Sequence, residues 1–394
     1  MSKILCIIDG MTDAGFRRSY YPSLSGMNLI RHIDTTCRQK PESLGCILRI
    51  LGTKKVPSNL RGYAEALGNG IPVNHNDLVL RGSWFALDEN GRCTVPTTAP
   101  DSLPDACGCR YYAFGQYKSL LVFPGMAASA FKLLTFPPYA CSGQTARQLC
   151  PRGCTAVENL FYSQLTEKRC LILWGQSAPI KLAPFPQRAA VVCGASIVKG
   201  ISRLLNMELI PVPGATGDTD TDLSAKVSAA LQAAEAYPFV LLHINGADEA
   251  AHRKSAEEKQ AFLKKVDETI IPALLHSGHT VYITADHGTD PVRGTHVGGL
   301  QPVFSNAADI ENTPVAEEAS NVPNADSMTA EQWKVWAIRQ LQDKAKEKGG
   351  TPIKADFEAV EKIRIKAALG PWPRALEAAG LKEPKEKKTN TRRR

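Results

Sequence analysis

No stretch of about 20 uninterrupted apolar residues occurs in the chain, so nothing in it reads as a membrane-spanning helix. The opening segment, Met1-Ser-Lys-Ile-Leu-Cys-Ile-Ile-Asp9, has no small-residue cleavage site, and its apolar run soon meets a charge. A secretory signal is therefore not expected, and a soluble, cytoplasmic protein is. No internal repeat is found. Wholesale disorder is excluded by composition, with 43% hydrophobic and 22% charged residues. A length of 394 residues is too long for one ordinary domain and predicts two or three folding units.

Eleven cysteines, an odd number, include Cys6, Cys46, Cys170 and Cys193 inside apolar runs, where a reduced thiol behaves as a small hydrophobe. Six more fall between Cys93 and Cys154, among them Cys107-Gly-Cys109 and Cys150-Pro-Arg-Gly-Cys154. Their spacings fit no standard zinc ligand pair well, which leaves a structural zinc and plain loop thiols both open. The formal net charge is +8, and the segment after Leu381 reads KEPKEKKTNTRRR, seven basic residues against two acidic ones. A solvated tail is expected there.

Residues 3–8 form an apolar run that delivers Asp9 to its end, and 189–193, 239–244 and 280–284 have the same grammar. Helical stretches over 223–236 and 256–275 separate them. Strands alternating with helices predict a doubly wound, mostly parallel sheet, with ligands at the carboxyl ends of its strands. Between about Gly68 and Pro186 the pattern breaks into short segments rich in Pro, Gly and Cys. The predicted organisation is therefore a core over 1–67 and 187–305 interrupted by an inserted α+β cap over 68–186. A linker over 306–328, a helical module over 329–382 and a basic tail over 383–394 follow. In the module, Trp333, Trp336, Ala337 and Leu341 mark one amphipathic stretch, and 355–369 is a second.

The chemistry gathers at the strand ends: Asp9, then Asp248 and His252, then Asp286 and His287, then His296. Spacing of i, i+4 puts Asp248 and His252 on one face of a helical turn, and adjacent Asp286 and His287 leave a strand end on opposite sides. Carboxylates with imidazoles suit Mn, Zn, Co or Fe better than a calcium site. Singly, each residue reads as readily as a helix cap or a satisfied polar contact; five of the eight histidines (His32, His75, His243, His276 and His279) lie outside the set.

The order Asp9-Gly, a serine opening an apolar helix, PGATGDTDTD, HINGADEAAH and ADHGTDPVRGTH resembles the archaeal-type cofactor-independent phosphoglycerate mutases of the alkaline phosphatase superfamily. It spans roughly residues 1–305. The resemblance implies an alkaline-phosphatase-like α/β fold and two divalent metal ions, manganese first, with zinc, cobalt or magnesium as alternatives. It places Asp248, His252 and His296 around one ion, and Asp9, Asp286, His287 and the nucleophile Ser43 around the other. Ser43-Leu-Gly-Cys-Ile-Leu-Arg-Ile-Leu-Gly52 keeps the family's interval from nucleophile to closing glycine. A helix N-terminus suits a phosphate, and an N-cap role for Ser43 is the alternative. Arg61-Gly-Tyr-Ala-Glu-Ala-Leu-Gly68 resembles the family's RGxxEAxG segment, Leu80-Arg81-Gly-Ser83 its FRxN segment and Lys199-Gly200-Ile201 its KG(I/V) segment. With Lys118, which stands where the family has arginine, these imply substrate contacts at Arg61, Arg81, Lys118 and Lys199.

The chain departs from the family at Ser43-Leu44-Gly45, where Ser-Asp-Thr is common, and at Pro137-Pro138-Tyr139-Ala140 in place of PPHD. The GGKTPLE segment is absent. The implied activity is interconversion of 3-phosphoglycerate and 2-phosphoglycerate through a phosphoserine. Its alternatives are a phosphohydrolase or mutase acting on another phosphorylated metabolite, or a nucleic-acid-associated protein using the fold as scaffold. Gly349-Gly350-Thr351-Pro352-Ile-Lys-Ala-Asp356-Phe357, with Leu369-Gly370-Pro371-Trp372 and Gly380-Leu381, resembles the homing-endonuclease-associated repeat. That resemblance and the basic end imply a nucleic-acid partner besides the small phosphorylated metabolite.

Overall fold

Five of the six residues of β1 (Lys3–Ile8) are buried, as the unbroken apolar run of a central parallel strand requires. The computed structural model to which it belongs describes residues 2–37, 39–103, 108–114, 116–138, 141, 143–307, 330–357 and 359–382. After β1 come α1 (Pro22–Ser25), β2 (Asn28–Asp34), α2 (Ser43–Ile50) and α3 (Arg61–Gly68). A second sheet is then built from β3 (Leu78–Leu87), β4 (Cys93–Pro96), β5 (Arg110–Ala113), β6 (Lys118–Phe123) and, after α4 (Thr155–Ser163), β7 (Arg169–Ser177). The chain returns through β8 (Ala189–Val192), α5 (Ser196–Leu204), β9 (Glu208–Leu209), α6 (Leu223–Ala236), β10 (Phe239–Ile244), α7 (Gly246–His252) and α8 (Ala256–Leu275). It closes with β11 (Thr280–Thr284), β12 (Gly288–Asp290), β13 (Thr295–Val297) and β14 (Leu300–Ser305).

The main sheet has the order β2-β14-β11-β1-β10-β8-β9, parallel from β11 through β9 and antiparallel at β14. Its four middle strands are those the sequence predicts. One face packs Ile4, Cys6, Ile8, Val240 and Leu242 against Val227 and Ala230 of α6 and Phe262, Val266 and Ile270 of α8. The carboxyl ends of β11, β1 and β10 lie side by side, so Asp286, Asp9 and the start of α7 are neighbours although they are far apart in the chain.

In the second sheet β3 is central, antiparallel to β6 and β4 on one edge and to β7 on the other. Its core is built on Trp84, Phe123, Phe161 and Leu171. The reading of Cys93–Cys154 as loop thiols is corrected here: Cys93, Cys109, Cys141, Cys150 and Cys154 are buried in that core beside Cys170, where the thiols serve as small apolar groups. Among the described residues no metal-capable group contains a cysteine.

The chain forms two units, Met1–Arg31 with Thr35–Ala316, and His32–Asp34 with Glu317–Arg394. In the second, α9 (Ala330–Lys348), α10 (Ala359–Leu369) and α11 (Trp372–Ala378) enclose Ala337, Leu341, Phe357, Ile365, Ala375 and Leu376. Three helices stand where two amphipathic stretches are read from periodicity. Apart from Asn306 and Ala307, the linker over 306–328 lies outside the described residues. So do the tail over 383–394, Cys107, Tyr139, Ala140 and the side chains of Trp333 and Trp336. No helix among the described residues is long and apolar enough to cross a membrane.

Candidate metal centre

Asp9 ends β1, its N–H donating to Ile244 O at 2.8 Å. Gly10 follows with φ +65, and a Cβ there would lie 2.8 Å from Asp248 Cα, so only glycine lets the β1 turn approach α7 this closely. α7 carries Asp248 and His252 in one turn, and Asp286 and His287 leave β11 before the β12–β13 hairpin brings His296 back.

Two groups of converging ligand atoms result, Asp9 with Asp286 and His287, and Asp248 with His287 and His296. His287 Nε2 lies 3.6 Å from Asp9 Oδ1 and 3.3 Å from Asp286 Oδ2. His252 joins the second group, its Nε2 3.3 Å from Asp248 Oδ2 and 2.9 Å from His296 Nε2. The ring orientations have one logic. His252 Nδ1 faces Gly294 O at 2.9 Å, His296 Nδ1 faces Pro41 O at 2.6 Å, and His287 Nδ1 faces Gly288 O at 3.2 Å. A carbonyl only accepts, so each Nδ1 donates outward and each ring turns its Nε2 toward the ligand groups.

These residues fit divalent ions. Asp9 Oδ1 and Asp286 Oδ2 are buried without a hydrogen-bond partner, an arrangement that is costly for a carboxylate unless a cation satisfies it. Burial first, then the charges of Asp286 and Asp248, push the Asp9 pKa well up. Burial and His287 push His296 down to about 4. Burial works against the His252 charge, but its hydrogen bond and ion pair with Asp248 outweigh it and push His252 up to about 9. Three acids and three imidazoles crowded this way favour bound positive charge.

Ser43 is the first residue of α2, with Glu42 as the N-cap. Its hydroxyl does not cap the helix; Oγ lies 3.1 Å from His287 Nε2, facing the ligand groups. Arg61 and Arg81 converge on Glu65, with Nε atoms 2.6 and 2.9 Å from its two carboxylate oxygens. Both guanidiniums lie over the Trp174 ring, at 5.7 and 4.6 Å. Burial opposes the Arg61 charge, and Glu65, Glu42 and Asp9 outweigh it, which places this guanidinium within electrostatic reach of the acidic cluster. Lys118 acts on both Glu65 and Asp218. Lys199 lies in α5, the helix that crosses α3, and its charge falls on Cys193 and Lys226.

Sequence reasoning missed Thr289, whose hydroxyl donates to Asp248 Oδ1 at 2.6 Å, Glu65 and Trp174 between the arginines, and His243 beside Asp9. A signal existed for His243, the one polar residue in the buried run FVLLHI.

Residues 182–328 match the family model described as the Metalloenzyme superfamily, and residues 335–382 match that of the homing endonuclease associated repeat. The chain is 27% identical to 2,3-bisphosphoglycerate-independent phosphoglycerate mutase 2 of Methanothermobacter thermautotrophicus over 275 residues, covering 60% of this chain and 68% of that protein. With the 2,3-bisphosphoglycerate-independent phosphoglycerate mutase of Saccharolobus solfataricus, identity is 28% over 62% of this chain and 70% of the relative. Identity reaches 39% with phosphoglycerate mutase 1 of Archaeoglobus fulgidus, where the match spans 33% of this chain and 32% of the relative. The PH0037 protein from Pyrococcus horikoshii shares the fold, with a TM-score of 0.58 at 20% identity over 77% of this chain and 87% of that one. The chain is thus similar in sequence to the archaeal 2,3-bisphosphoglycerate-independent phosphoglycerate mutases and has an α/β fold built on a mostly parallel sheet.

Proposed function

We propose that this chain is a metal-dependent phosphoglycerate mutase, a cytoplasmic isomerase that interconverts 3-phosphoglycerate and 2-phosphoglycerate through a phosphoserine at Ser43. The observation that carries the reading is the Ser43 hydroxyl, 3.1 Å from His287 Nε2 at the start of α2, beside the ring shared by both ligand groups. Asp9, Asp286, His287 and Ser43 hold one divalent ion and Asp248, His252 and His296 the other, manganese being the ion we favour. When bound, such ions neutralise phosphoryl oxygens and favour the serine alkoxide.

Ser43 Oγ attacks phosphorus in line; the Oγ–P bond forms, the bond to the substrate oxygen breaks, and that oxygen takes up a proton. Arg61, Arg81 and Lys118 bind the carboxylate of the released glycerate, with Glu65 and Trp174 fixing the planes of the guanidiniums. Glycerate turns within this clamp, its other hydroxyl attacks the phosphoserine, and Ser43 is restored. Helix α2 supports the intermediate with its free N-terminal N–H groups.

The test is a coupled assay of Mn-loaded protein on 3-phosphoglycerate, following 2-phosphoglycerate and inorganic phosphate together. The reading expects 2-phosphoglycerate without free phosphate, and none from Ser43→Ala or Asp286→Ala. Turnover retained by Ser43→Ala refutes the mechanism, while stoichiometric phosphate release makes the protein a hydrolase. A second role for residues 329–394 is supported by the repeat match over 335–382 and the basic end of the chain. It expects DNA or RNA binding that weakens steeply with salt and disappears when 329–394 are deleted.

A further inference from the structure

His243 has no part in the mechanism above, yet packing does not account for it. It is wholly buried in β10, where the other residues are Phe239, Val240, Leu241, Leu242 and Ile244. An apolar side chain would fill the position without desolvating an imidazole. Neither ring nitrogen has a hydrogen-bond partner. The carboxylate facing the ring is that of Asp9, whose Oδ2 lies 3.4 Å from Nε2. The other oxygen, Oδ1, faces His287 Nε2 at 3.6 Å. The two oxygens of Asp9 thus look in different directions, one into the ligand group and one at His243.

The sheet sets this separation. β1 and β10 are adjacent parallel strands with Ile7 opposite His243, and the Asp9 N–H is tied to Ile244 O. Behind the strand, Lys226 Nζ donates to the His243 carbonyl at 3.4 Å and to Thr216 O at 3.0 Å. A carboxylate only accepts, so a ring that serves Asp9 carries its proton on Nε2 and leaves Nδ1 bare.

We propose that His243 is a positioning residue for Asp9: its Nε2–H, 3.4 Å from Oδ2 and outside hydrogen-bond geometry, holds that oxygen electrostatically, fixes the carboxylate plane and leaves Oδ1 for the ion. The proposal rests on the reading of Asp9 as a metal ligand. Outer partners of this kind hold a ligand in its productive orientation, and losing one typically weakens metal affinity by about 10–100-fold.

The test is calorimetric titration of Mn²⁺ into chelator-stripped full-length protein, with His243→Leu, His243→Met, His243→Gln and Asp9→Asn, each checked for folding by its melting curve. In the apolar variants, one of two equivalents should weaken by about 10–100-fold, the same equivalent that Asp9→Asn loses, while the other is unchanged. The glutamine variant, which restores an N–H donor, should stay within about threefold of wild type. If neither apolar variant folds, His243→Asn, whose amide is too short to reach Asp9, replaces them with the same expectation. Wild-type uptake in the apolar variants, equal weakening of both equivalents, or a glutamine variant as weak as the leucine one overturns the proposal. A wild-type chain that binds no second equivalent removes the ligand reading and this proposal together. Absence of mutase turnover with both equivalents bound counts against the function alone, because the readout here is uptake.

Discussion

Gly200→Ala is a small change with a calculable effect. Helices α3 and α5 cross on two glycines: a Cβ on Gly200 would lie 1.9 Å from Ala64 O, and one on Gly68 would lie 1.9 Å from Ser196 O. Ordinary contact begins at 3.4 Å, so a methyl group at 200 must push α3 away by about 1.5 Å, and the obstacle is backbone that cannot rotate aside. Overpacking of this kind costs about 1–3 kcal/mol, which in a unit of this size lowers Tm by about 2–5 °C. The same displacement moves Arg61 and Glu65, which ride on α3. Misplacing positioning groups by about 1 Å can reduce kcat/KM on the order of 100-fold. Metal uptake should be unchanged, because its proposed ligands hang from β1, α2, α7, β11 and the β12–β13 hairpin, none of them on α3. Thermal unfolding, steady-state kinetics on 3-phosphoglycerate and manganese titration together test the chain of inference. A variant with wild-type Tm and kcat/KM would show that the helices do not cross as described, and one that loses metal in step with activity would show that α3 does more than carry the clamp.

Glu65→Gln should destabilise the protein by about 3–5 kcal/mol at neutral pH, because it leaves two nearly buried guanidiniums without their shared carboxylate. Burial would raise the Glu65 pKa, but Arg81 and Arg61 outweigh it and hold it low. Its contribution is therefore complete above the ordinary glutamate value of 4.5 and lost as pH falls through the lowered one. Urea unfolding should show the gap between variant and wild type closing on acidification, and a gap that does not change with pH would contradict this. In protein stripped of metal, the proton on His252, with a pKa of about 9, competes with the ion. Apparent affinity at the Asp248 group should rise with pH up to that value, by at most about tenfold per unit. A titration series at pH 6, 7 and 8 showing no trend would mean that Nε2 of His252 does not ligate.

The middle of the main sheet was readable because strands buried on both faces must be nearly all apolar: 3–8, 189–193, 239–244 and 280–284 could be little else. β9 has only two residues and β14 contains Pro302, so neither carries a period long enough to detect. The cap cysteines misled for a chemical reason, since turn residues between them suggested loops while the thiols themselves fill the core. Acid and histidine types at strand ends pointed to the ligand groups. The partners that orient them, Pro41, Gly294 and Gly288, act through backbone carbonyls, which no side-chain pattern records. Glu65 stands one turn after Arg61 on α3, a spacing the sequence does carry, but Arg81 of β3 and Trp174 of β7 reach the pair from other elements, a matter of three-dimensional placement that spacing does not encode.

The tether between His296 and the Pro41 carbonyl reaches the segment two residues before Ser43, so the hairpin bearing His296 is fastened to the chain that leads into the proposed nucleophile at the start of α2. Chemistry and ion capture are thereby interlocked: little can change in one without disturbing the other. The arginine clamp is carried instead by α3, β3 and β7, elements other than those that bear the proposed ligands.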